Sequence, residues 1–294
     1  MRLLIIGGNG MLGHQLLRSW SGRHDVRVTL RGPLERYAEH GLFNEHNAVG
    51  GVDVLDDQRI DRLILEERPD AVINAAGVIK QRDGVKDAVG CLSVNGCFPR
   101  RLNDLCRRHG ARLVHVSTDC VFDGMRGGYT ESDPANATDV YGLSKYLGEV
   151  TESPGVTLRT SIIGLELDQK RSLIEWFLAQ REAVCGFTRA IYTGVTTIEL
   201  ARVIERVLAE QPELSGLWQV ASSPISKFDL LTAFAAELGR DDIEIAPDAE
   251  FFCDRSLDGS AFAERTGYRA PAWSTMLREL AQQTKERESC RDAA

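Results

Sequence analysis

The first thirteen residues contain the feature that most constrains the fold. A short apolar run from Arg2 to Ile6 ends in the segment Gly7-Gly8-Asn9-Gly10-Met11-Leu12-Gly13. An apolar run of this length that stops at glycines predicts a buried parallel strand turning into a helix. Glycines permit a tight turn and let the backbone approach a pyrophosphate, whose charge is favoured at a helix N-terminus. The segment therefore predicts a dinucleotide site, with a plain strand-to-helix turn as the alternative.

Strand-like and helical patterns alternate through the first half of the chain. The predicted strands are 3–6, 26–30, 51–54, 71–74, 112–116 and 156–160, with a late strand near 216–221. The predicted helices are 11–20, 57–67, 85–109 and 140–151, followed by 173–181, 197–210 and one that begins at Ser226. This alternation predicts an α/β fold built on a doubly wound parallel (Rossmann) sheet. We expect a nucleotide-binding domain over 1–165, a smaller C-terminal α/β substrate domain over most of 166–294, and a frayed tail over 285–294.

Composition argues against several classes of protein. The net charge of -8 is unfavourable for nucleic acid as a main partner, because phosphate binding needs a basic face. No apolar run approaches the roughly 20 residues that cross a membrane. The seven cysteines show no Cys-x-x-Cys spacing, which favours reduced thiols over disulfides or a zinc site. We expect a cytoplasmic protein without a metal, and a homodimer is the commonest oligomeric state.

A second motif places polar side chains where a proton could be transferred. The segment from Ser117 to Gly124 reads STDCVFDG, and Tyr141 follows with Lys145 four residues later. Helical spacing puts Tyr141 and Lys145 on one face of a helix. A neighbouring ammonium favours the phenolate, so Lys145 is expected to lower the pKa of the Tyr141 phenol. Tyr-x-x-x-Lys alone is a weak signal, and the dinucleotide loop earlier in the chain strengthens it.

Together and in this order, the motifs resemble the extended short-chain dehydrogenase/reductase superfamily, and within it the dTDP-4-dehydrorhamnose reductase family. The residues that carry the resemblance are 7–13, Asn74-Ala75-Ala76-Gly77, 117–124, 141–145 and Arg159-Thr160-Ser161. That family reduces nucleotide-activated 4-keto-6-deoxy sugars. The resemblance therefore implies a nicotinamide-dependent oxidoreductase of deoxysugar or surface-polysaccharide biosynthesis, with a nucleotide-diphosphate sugar as its substrate.

The resemblance also assigns catalytic and substrate roles. Tyr141 would protonate the carbonyl oxygen, Lys145 would bind the nicotinamide ribose, and Thr118 would hydrogen-bond the substrate oxygen. Thr118 is preferred over its neighbour Ser117, whose side chain should point to the other side of the strand. The expected substrate contacts are Thr118, Asp119, Cys120 and Arg255. Arg255 would hold the diphosphate, and a solvated surface arginine is the alternative.

The expected cofactor contacts come from several segments. They are Gly7, Gly10, Met11, Leu12, Gly13, Arg31, Asp53, Val54, Ala75, Ala76, Gly77, Tyr141 and Lys145. A basic residue after the second strand accommodates a 2′-phosphate, whereas an acidic one binds the ribose 2′-hydroxyl. Arg31 follows that strand, and no Asp or Glu lies between Arg31 and Glu35, so NADP(H) is favoured over NAD(H). Asn95 is expected either to stabilise a bend in its helix or to join a proton relay.

Position 120 separates the alternative reactions. Related dehydratases carry a glutamate there to abstract a proton, and Cys120 cannot replace it. Epimerase-reductases carry a cysteine two positions after the catalytic hydroxyl, as Cys120 is from Thr118, but they also use a later histidine. Here the histidines stop at His115. An epimerase-reductase and a non-catalytic NADP-binding regulatory subunit stay open, and the segment 78–84, VIKQRDG, departs from the family pattern and leaves the sugar open.

Overall fold

The computed structural model describes residues 1–79, 87–168 and 170–292. Its strands, numbered in chain order, are β1 (Arg2–Ile6), β2 (Asp25–Thr29), β3 (Ala48–Val49), β4 (Ala71–Asn74), β5 (Arg112–Thr118), β6 (Gly155–Thr160), β7 (Ile162–Ile163), β8 (Val184–Tyr192), β9 (Val195–Thr196), β10 (Gly216–Gln219), β11 (Ile225–Ser226) and β12 (Ile245–Asp254). Its helices are α1 (Met11–Trp20), α2 (Asp57–Glu67), α3 (Ala88–Cys91), α4 (Phe98–His109), α5 (Val140–Leu147), α6 (Leu173–Leu178), α7 (Thr197–Glu210), α8 (Lys227–Leu238), α9 (Ser260–Thr266) and α10 (Trp273–Asp292).

A seven-stranded parallel sheet forms the centre of the molecule. Its strand order is β10-β6-β5-β4-β1-β2-β3, and each neighbouring pair runs parallel. The strand order changes direction between β1 and β4, which is where a doubly wound sheet opens a crevice at the carboxyl ends of its strands. The predicted α/β class is confirmed, and so is the late return strand, because β10 pairs with β6.

Strand β1 shows why its run of apolar residues is continuous. Leu3 and Ile5 pack into one core that includes residues of α1 and α7. Leu4 and Ile6 pack into a second core that includes residues of α2 and α4. Successive side chains of a strand point to opposite faces, so a sheet covered by helices on both faces needs apolar residues at every position.

The later part of the chain builds a small sheet of order β11-β8-β12. Strands β8 and β12 run parallel over a long register that is interrupted by a bulge between Asp248 and Phe252. Phe177 of α6, Phe234 of α8 and Leu277 of α10 belong to the same buried core as α1. Among the described residues, none of the helices combines the length and apolar character that a membrane span requires.

Four sequence predictions differ from the structure. The predicted strand 51–54 is wrong, because the strand is Ala48–Val49 and Gly51, at φ +69°, turns the chain. The predicted helix 140–151 ends at Leu147, and 173–181 ends at Leu178. The tail predicted to fray is helical to Asp292. The earlier part of that helix buries apolar side chains in the main core.

Position 13 must be a glycine because the backbone of Gly7 and Gly8 lies very close to it. A Cβ at this position would overlap the carbonyl oxygen of Gly7 and would lie 2.9 Å from the Cα of Gly8. Both neighbours are backbone atoms, which cannot turn away as the end of a flexible side chain can. Gly10 differs, because its φ of -72° and ψ of 165° suit any residue and its Cβ would lie 3.3 Å from the Gly7 oxygen.

We predict that Gly13→Ala lowers the free energy of unfolding by about 1–3 kcal/mol, because the overlap must be relieved by moving backbone. The matched control, Gly10→Ala, should cost less than about 1 kcal/mol. Urea unfolding followed by circular dichroism measures both variants without any ligand. Equal stabilities for the two variants would contradict the close-approach account of Gly13.

Candidate active site

A cavity of about 430 Å³ lies at the carboxyl ends of the central strands. It is lined by α5 and by the segments at the carboxyl ends of β1, β4 and β5. From these segments come Gly10, Met11, Leu12, Ala75, Ala76, Gly77, Thr118, Asp119, Cys120, Tyr141 and Lys145. The end of β12 closes another side with Arg255. The sheet topology thus brings most of the sequence-predicted residues into one cavity.

The loop after β1 has the features of an anion site. Gly10 is the N-cap of α1, makes no side-chain capping hydrogen bond, and is followed by a first turn without acidic residues. The backbone N–H groups at a helix N-terminus have no partner within the helix and favour a negative charge. Gly7 has a φ of +92°, and a Cβ there would lie 2.9 Å from the backbone of Ala76. The two loops therefore pack closely, and the residues present fit a dinucleotide.

Helix α5 reaches the cavity because its first turn packs tightly against the loop after β5. Asp139 caps the helix by accepting a hydrogen bond from the Gly142 N–H at 2.8 Å. A Cβ at Gly142 would overlap the carbonyl oxygen of Cys120, so only glycine permits this approach. Tyr141 and Lys145 both line the cavity, as their spacing predicts.

Lys145 is a buried ammonium group held by the end of the central sheet. Its Nζ donates a hydrogen bond to the carbonyl oxygen of Val116 at 2.7 Å. Burial lowers the pKa of Lys145 to about 8, and the nearby carboxylate of Glu149 acts in the opposite direction. The side chain is therefore still mostly charged at neutral pH.

Tyr141 keeps its proton more firmly than the sequence predicts. Burial raises the pKa of the Tyr141 phenol well above its ordinary value, while a hydrogen bond with Thr118 acts in the opposite direction. The predicted lowering by Lys145 is not seen, because the cost of burying a phenolate is the larger effect. The phenol is thus a proton donor at neutral pH and not a base.

The hydroxyls of Ser117 and Thr118 serve different partners. Thr118 Oγ1 donates to Asp119 Oδ1 at 3.1 Å and accepts from the Cys120 N–H at 3.2 Å. Ser117 Oγ instead donates to Glu149 Oε1 at 2.7 Å. Of the two hydroxyls, the one of Thr118 is therefore the one placed beside Tyr141.

Glu149 and Arg159 form a buried ion pair next to the cavity. Arg159 Nε donates to Glu149 Oε1 at 2.9 Å, and Nη2 donates to Oε2 at 2.7 Å. The two side chains are 4% and 2% exposed, and the guanidinium lies over the ring of Phe122 at 5.0 Å. The pair joins β6 to the segment just after α5. Sequence reasoning missed Glu149, although it continues the four-residue spacing of Tyr141 and Lys145.

Asp119, Cys120 and Arg255 form a polar group at the other side of Thr118. Burial raises the pKa of the Asp119 carboxyl, and Arg255 opposes that rise. Burial also raises the pKa of the Cys120 thiol to about 12, with the carboxylate of Asp119 adding to the effect. Arg255 Nε donates to the Phe122 carbonyl at 2.8 Å, and Nη1 lies 3.8 Å from Cys120 Sγ. Arg255 is therefore half-buried in the cavity wall.

Asn95 lies in a π-helical turn, Leu92–Cys97, between α3 and α4. Its side chain accepts from the Val78 N–H and donates to the Val78 carbonyl, both at 2.9 Å, and it also donates to Ser144 Oγ at 3.1 Å. Asn95 thus fixes the start of the loop after β4 to helix α5. The departure from the family pattern at 78–84 lies outside the described residues beyond Ile79.

Five of the expected cofactor contacts do not line the cavity. Gly7 and Gly13 belong to the glycine-rich segment, and the other three come from segments further along the chain. Arg31 is exposed after β2, and Asp53 accepts a hydrogen bond from the Leu55 N–H at 3.0 Å. Val54 lies in the same turn, and none of the three lines the cavity. Elsewhere, Glu39, His40 and Asp168, the last of which lines the cavity, offer three potential metal-ligand atoms within 4.8 Å of one another. A hydrogen bond of 2.6 Å between His40 and Asp168 accounts for the approach of these two.

Comparisons with known proteins agree with this geometry. The model of the RmlD substrate binding domain family matches residues 1–285. The chain belongs to this family. It is 28% identical over 249 residues to a dTDP-4-dehydrorhamnose reductase of Aggregatibacter actinomycetemcomitans, with 80% of this chain and 79% of that protein covered.

Solved structures show the same fold. A hypothetical dTDP-4-dehydrorhamnose reductase from Sulfolobus tokodaii superposes with a TM-score of 0.73 at 26% identity, covering 93% of this chain and 98% of that one. A dTDP-4-dehydrorhamnose reductase from Bacillus anthracis, solved in complex with NADP, gives a TM-score of 0.77 at 21% identity, covering 96% and 99%.

We predict that Glu149→Gln lowers the free energy of unfolding by about 3–5 kcal/mol, because it leaves the Arg159 guanidinium buried without a counter-charge. The matched control is Glu210→Gln, which removes an ion pair with Arg206 whose side chains are 55% and 39% exposed. That change should cost less than about 1 kcal/mol. Chemical denaturation measures both, and a Glu149→Gln variant as stable as the control would contradict a structural role for the pair.

Proposed function

We propose that the protein is an NADPH-dependent reductase of the 4-keto group of a nucleotide-activated 4-keto-6-deoxy sugar, in deoxysugar or surface-polysaccharide biosynthesis. The observation that supports this most is the convergence of Thr118, Tyr141 and Lys145 on the cavity that also includes the N-terminus of α1. Relatives named dTDP-4-dehydrorhamnose reductase make a dTDP-linked sugar the first substrate to test. In this proposal residues 1–165 bind the nucleotide cofactor, and the later part of the chain binds the sugar nucleotide.

Each side chain has a step that its chemistry fits. When bound, NADPH supplies a hydride to the carbonyl carbon of the sugar. Negative charge then develops on the carbonyl oxygen, where the hydroxyls of Thr118 and Tyr141 can donate to it. The Thr118 hydroxyl now points at Asp119 and can rotate toward a substrate oxygen. Because an alkoxide is a far stronger base than a phenolate, Tyr141 can give up its proton even with a raised pKa.

Lys145 would bind the hydroxyls of the nicotinamide ribose and add positive charge behind Tyr141. Its contact with the Val116 carbonyl uses one of its three donors, so the others remain to reach a ribose. The positive charge stabilises the phenolate that Tyr141 becomes after proton transfer.

The choice of NADPH over NADH rests on Arg31. The side chain is exposed at the end of β2, where a basic group accommodates a 2′-phosphate. In this proposal Asp53 and Val54, on the turn after β3, lie at the adenine. A higher kcat/KM with NADPH than with NADH in the assay below supports this assignment, and the reverse order contradicts it.

The epimerase-reductase alternative is less well supported by the geometry. Epimerisation requires a base that removes a proton next to the carbonyl. Burial holds the pKa of the Cys120 thiol at about 12, so Cys120 is not a base at neutral pH. The Arg255 guanidinium, 3.8 Å from the thiol, acts against this rise in pKa, but burial is the larger effect.

We predict that Tyr141→Phe lowers kcat by about 10²- to 10⁴-fold, the range for losing a general acid. Affinity for NADPH should change little, because the phenol would act on the sugar oxygen. The assay follows NADPH absorbance with a dTDP-4-keto-6-deoxy sugar, and the affinity is measured by NADPH fluorescence. Tyr146→Phe is the matched control, because Tyr146 lies on the same helix but is exposed, and it should keep full activity.

Full activity in Tyr141→Phe would overturn the proposed mechanism. If the wild-type protein binds NADPH but turns over no keto sugar, and instead co-purifies with a stoichiometric partner, the regulatory-subunit alternative replaces the reductase.

A further inference from the structure

The end of strand β12 and the residue that follows it present a row of three side chains to the cavity. Phe251, Cys253 and Arg255 all line it, as expected for alternate residues along an extended chain. The bulge just before Phe252 interrupts the pairing of β12 with β8, and bulges beside active sites commonly re-aim a side chain. The row therefore forms a wall that runs outward from the candidate catalytic residues.

The inner end of the row is firmly held. Asp254 N–H donates to the Gly124 carbonyl at 2.7 Å, which ties the end of β12 to the loop after β5. Arg255 donates through Nε to the Phe122 carbonyl at 2.8 Å and through Nη2 to the Asp123 carbonyl at 3.3 Å. These bonds fix the guanidinium plane, and among the described residues Nη1 has as its hydrogen-bond neighbour only the sulfur of Cys120 at 3.8 Å. Nη1 can therefore donate to an anion in the cavity.

The outer end of the row is an exposed aromatic surface. Phe251 is 47% exposed, and its ring packs against Phe187 of β8 with 4.8 Å between centroids and 43° between planes. Because Phe251 is both exposed and part of the cavity lining, its ring is accessible to a ligand. The support from Phe187 fixes the ring of Phe251 before any ligand arrives.

We propose that Phe251 is the stacking platform for the nucleobase of the sugar nucleotide whose diphosphate the family resemblance already assigns to Arg255. This inference rests on the proposed function, which places the keto sugar at Thr118 and Tyr141. The order along the wall follows the order of groups in a nucleoside diphosphate sugar. Sugar lies at Thr118, diphosphate at Arg255 beside Cys120, and base at Phe251, four residues from Arg255 or about 13 Å along an extended strand.

The dinucleotide cofactor of the proposed reaction would not compete for this platform. The N-terminus of α1 attracts the cofactor pyrophosphate, and its adenine would extend from there toward β2 and β3. Phe251 and Cys253 belong instead to β12 of the small sheet. Phe251 should therefore affect binding of the sugar nucleotide and not of NADPH.

Isothermal titration calorimetry with dTDP and with inorganic pyrophosphate, on protein saturated with NADPH so that the N-terminus of α1 is occupied, tests the proposal without any turnover. Phe251→Ala should weaken dTDP by about 10-fold, the effect expected for losing one base-stacking ring. It should leave pyrophosphate and NADPH affinities unchanged. Arg255→Gln should weaken both dTDP and pyrophosphate. Phe251→Trp, which restores a flat ring, should recover dTDP affinity, whereas Phe251→Leu should not.

Phe252→Ala is the matched control. Phe252 is the next residue of the strand, is 39% exposed, and carries the Arg189 guanidinium over its ring at 5.0 Å, but it does not line the cavity. Its loss should leave dTDP affinity unchanged.

Several results would overturn the proposed role of Phe251. These are unchanged dTDP affinity in Phe251→Ala, an equal loss in Phe252→Ala, a loss confined to NADPH, or a change of oligomeric state with dTDP binding intact. Failure of wild-type protein to bind dTDP, UDP or GDP would also overturn it. If the protein binds dTDP in the predicted pattern but reduces no keto sugar, the role of Phe251 stands and the proposed reaction is rejected. The failure of one proposal can therefore be told from the failure of the other.

Discussion

The buried ion pair between Glu149 and Arg159 is the interaction on which the candidate site depends. It connects β6 with the segment that follows α5, and through Ser117 it also reaches β5. Two charges removed from water are stable only when their geometry is good, and the loss of one partner is costly. Arg159 Nη1 is buried without a hydrogen-bond partner among the described residues, so the two bonds to Glu149 are what compensates the buried guanidinium. The bidentate contact therefore fixes how α5 stands against the sheet, and with it the positions of Tyr141 and Lys145 relative to Thr118.

Burial also sets the protonation states that the proposed reaction needs. It raises the pKa of Tyr141, lowers the pKa of Lys145 to about 8, and raises the pKa of Cys120 to about 12. In each case burial disfavours the charged form. Tyr141 and Cys120 consequently hold their protons at neutral pH, while Lys145 stays mostly charged. One environment thus yields a proton donor beside a cation, which is the arrangement that carbonyl reduction requires.

Much of the fold and of the candidate site is predictable from local sequence signals. The helix bounds of α1, α2 and α7 agree with the apolar periodicity, and the glycine-rich segment lies at the crevice of the sheet. Strands β8 and β12 were missed, because their residues are mixed in polarity and their pairing joins segments far apart in the chain. Phe251 was missed for the same reason, since nothing local shows that β12 returns to the cavity. Glu149 carried a signal, its spacing from Lys145, but its partner Arg159 is found only through the parallel sheet.

The most direct test of the central claim is the position of deuterium in the product. The protein is incubated with NADPH deuterated at the transferable position of its nicotinamide and with a dTDP-4-keto-6-deoxy sugar, and the product is analysed by NMR. The account predicts a new hydroxyl at C4 with one deuterium on the same carbon. Deuterium at another carbon, or a keto sugar recovered unchanged from protein that binds both ligands, would contradict it.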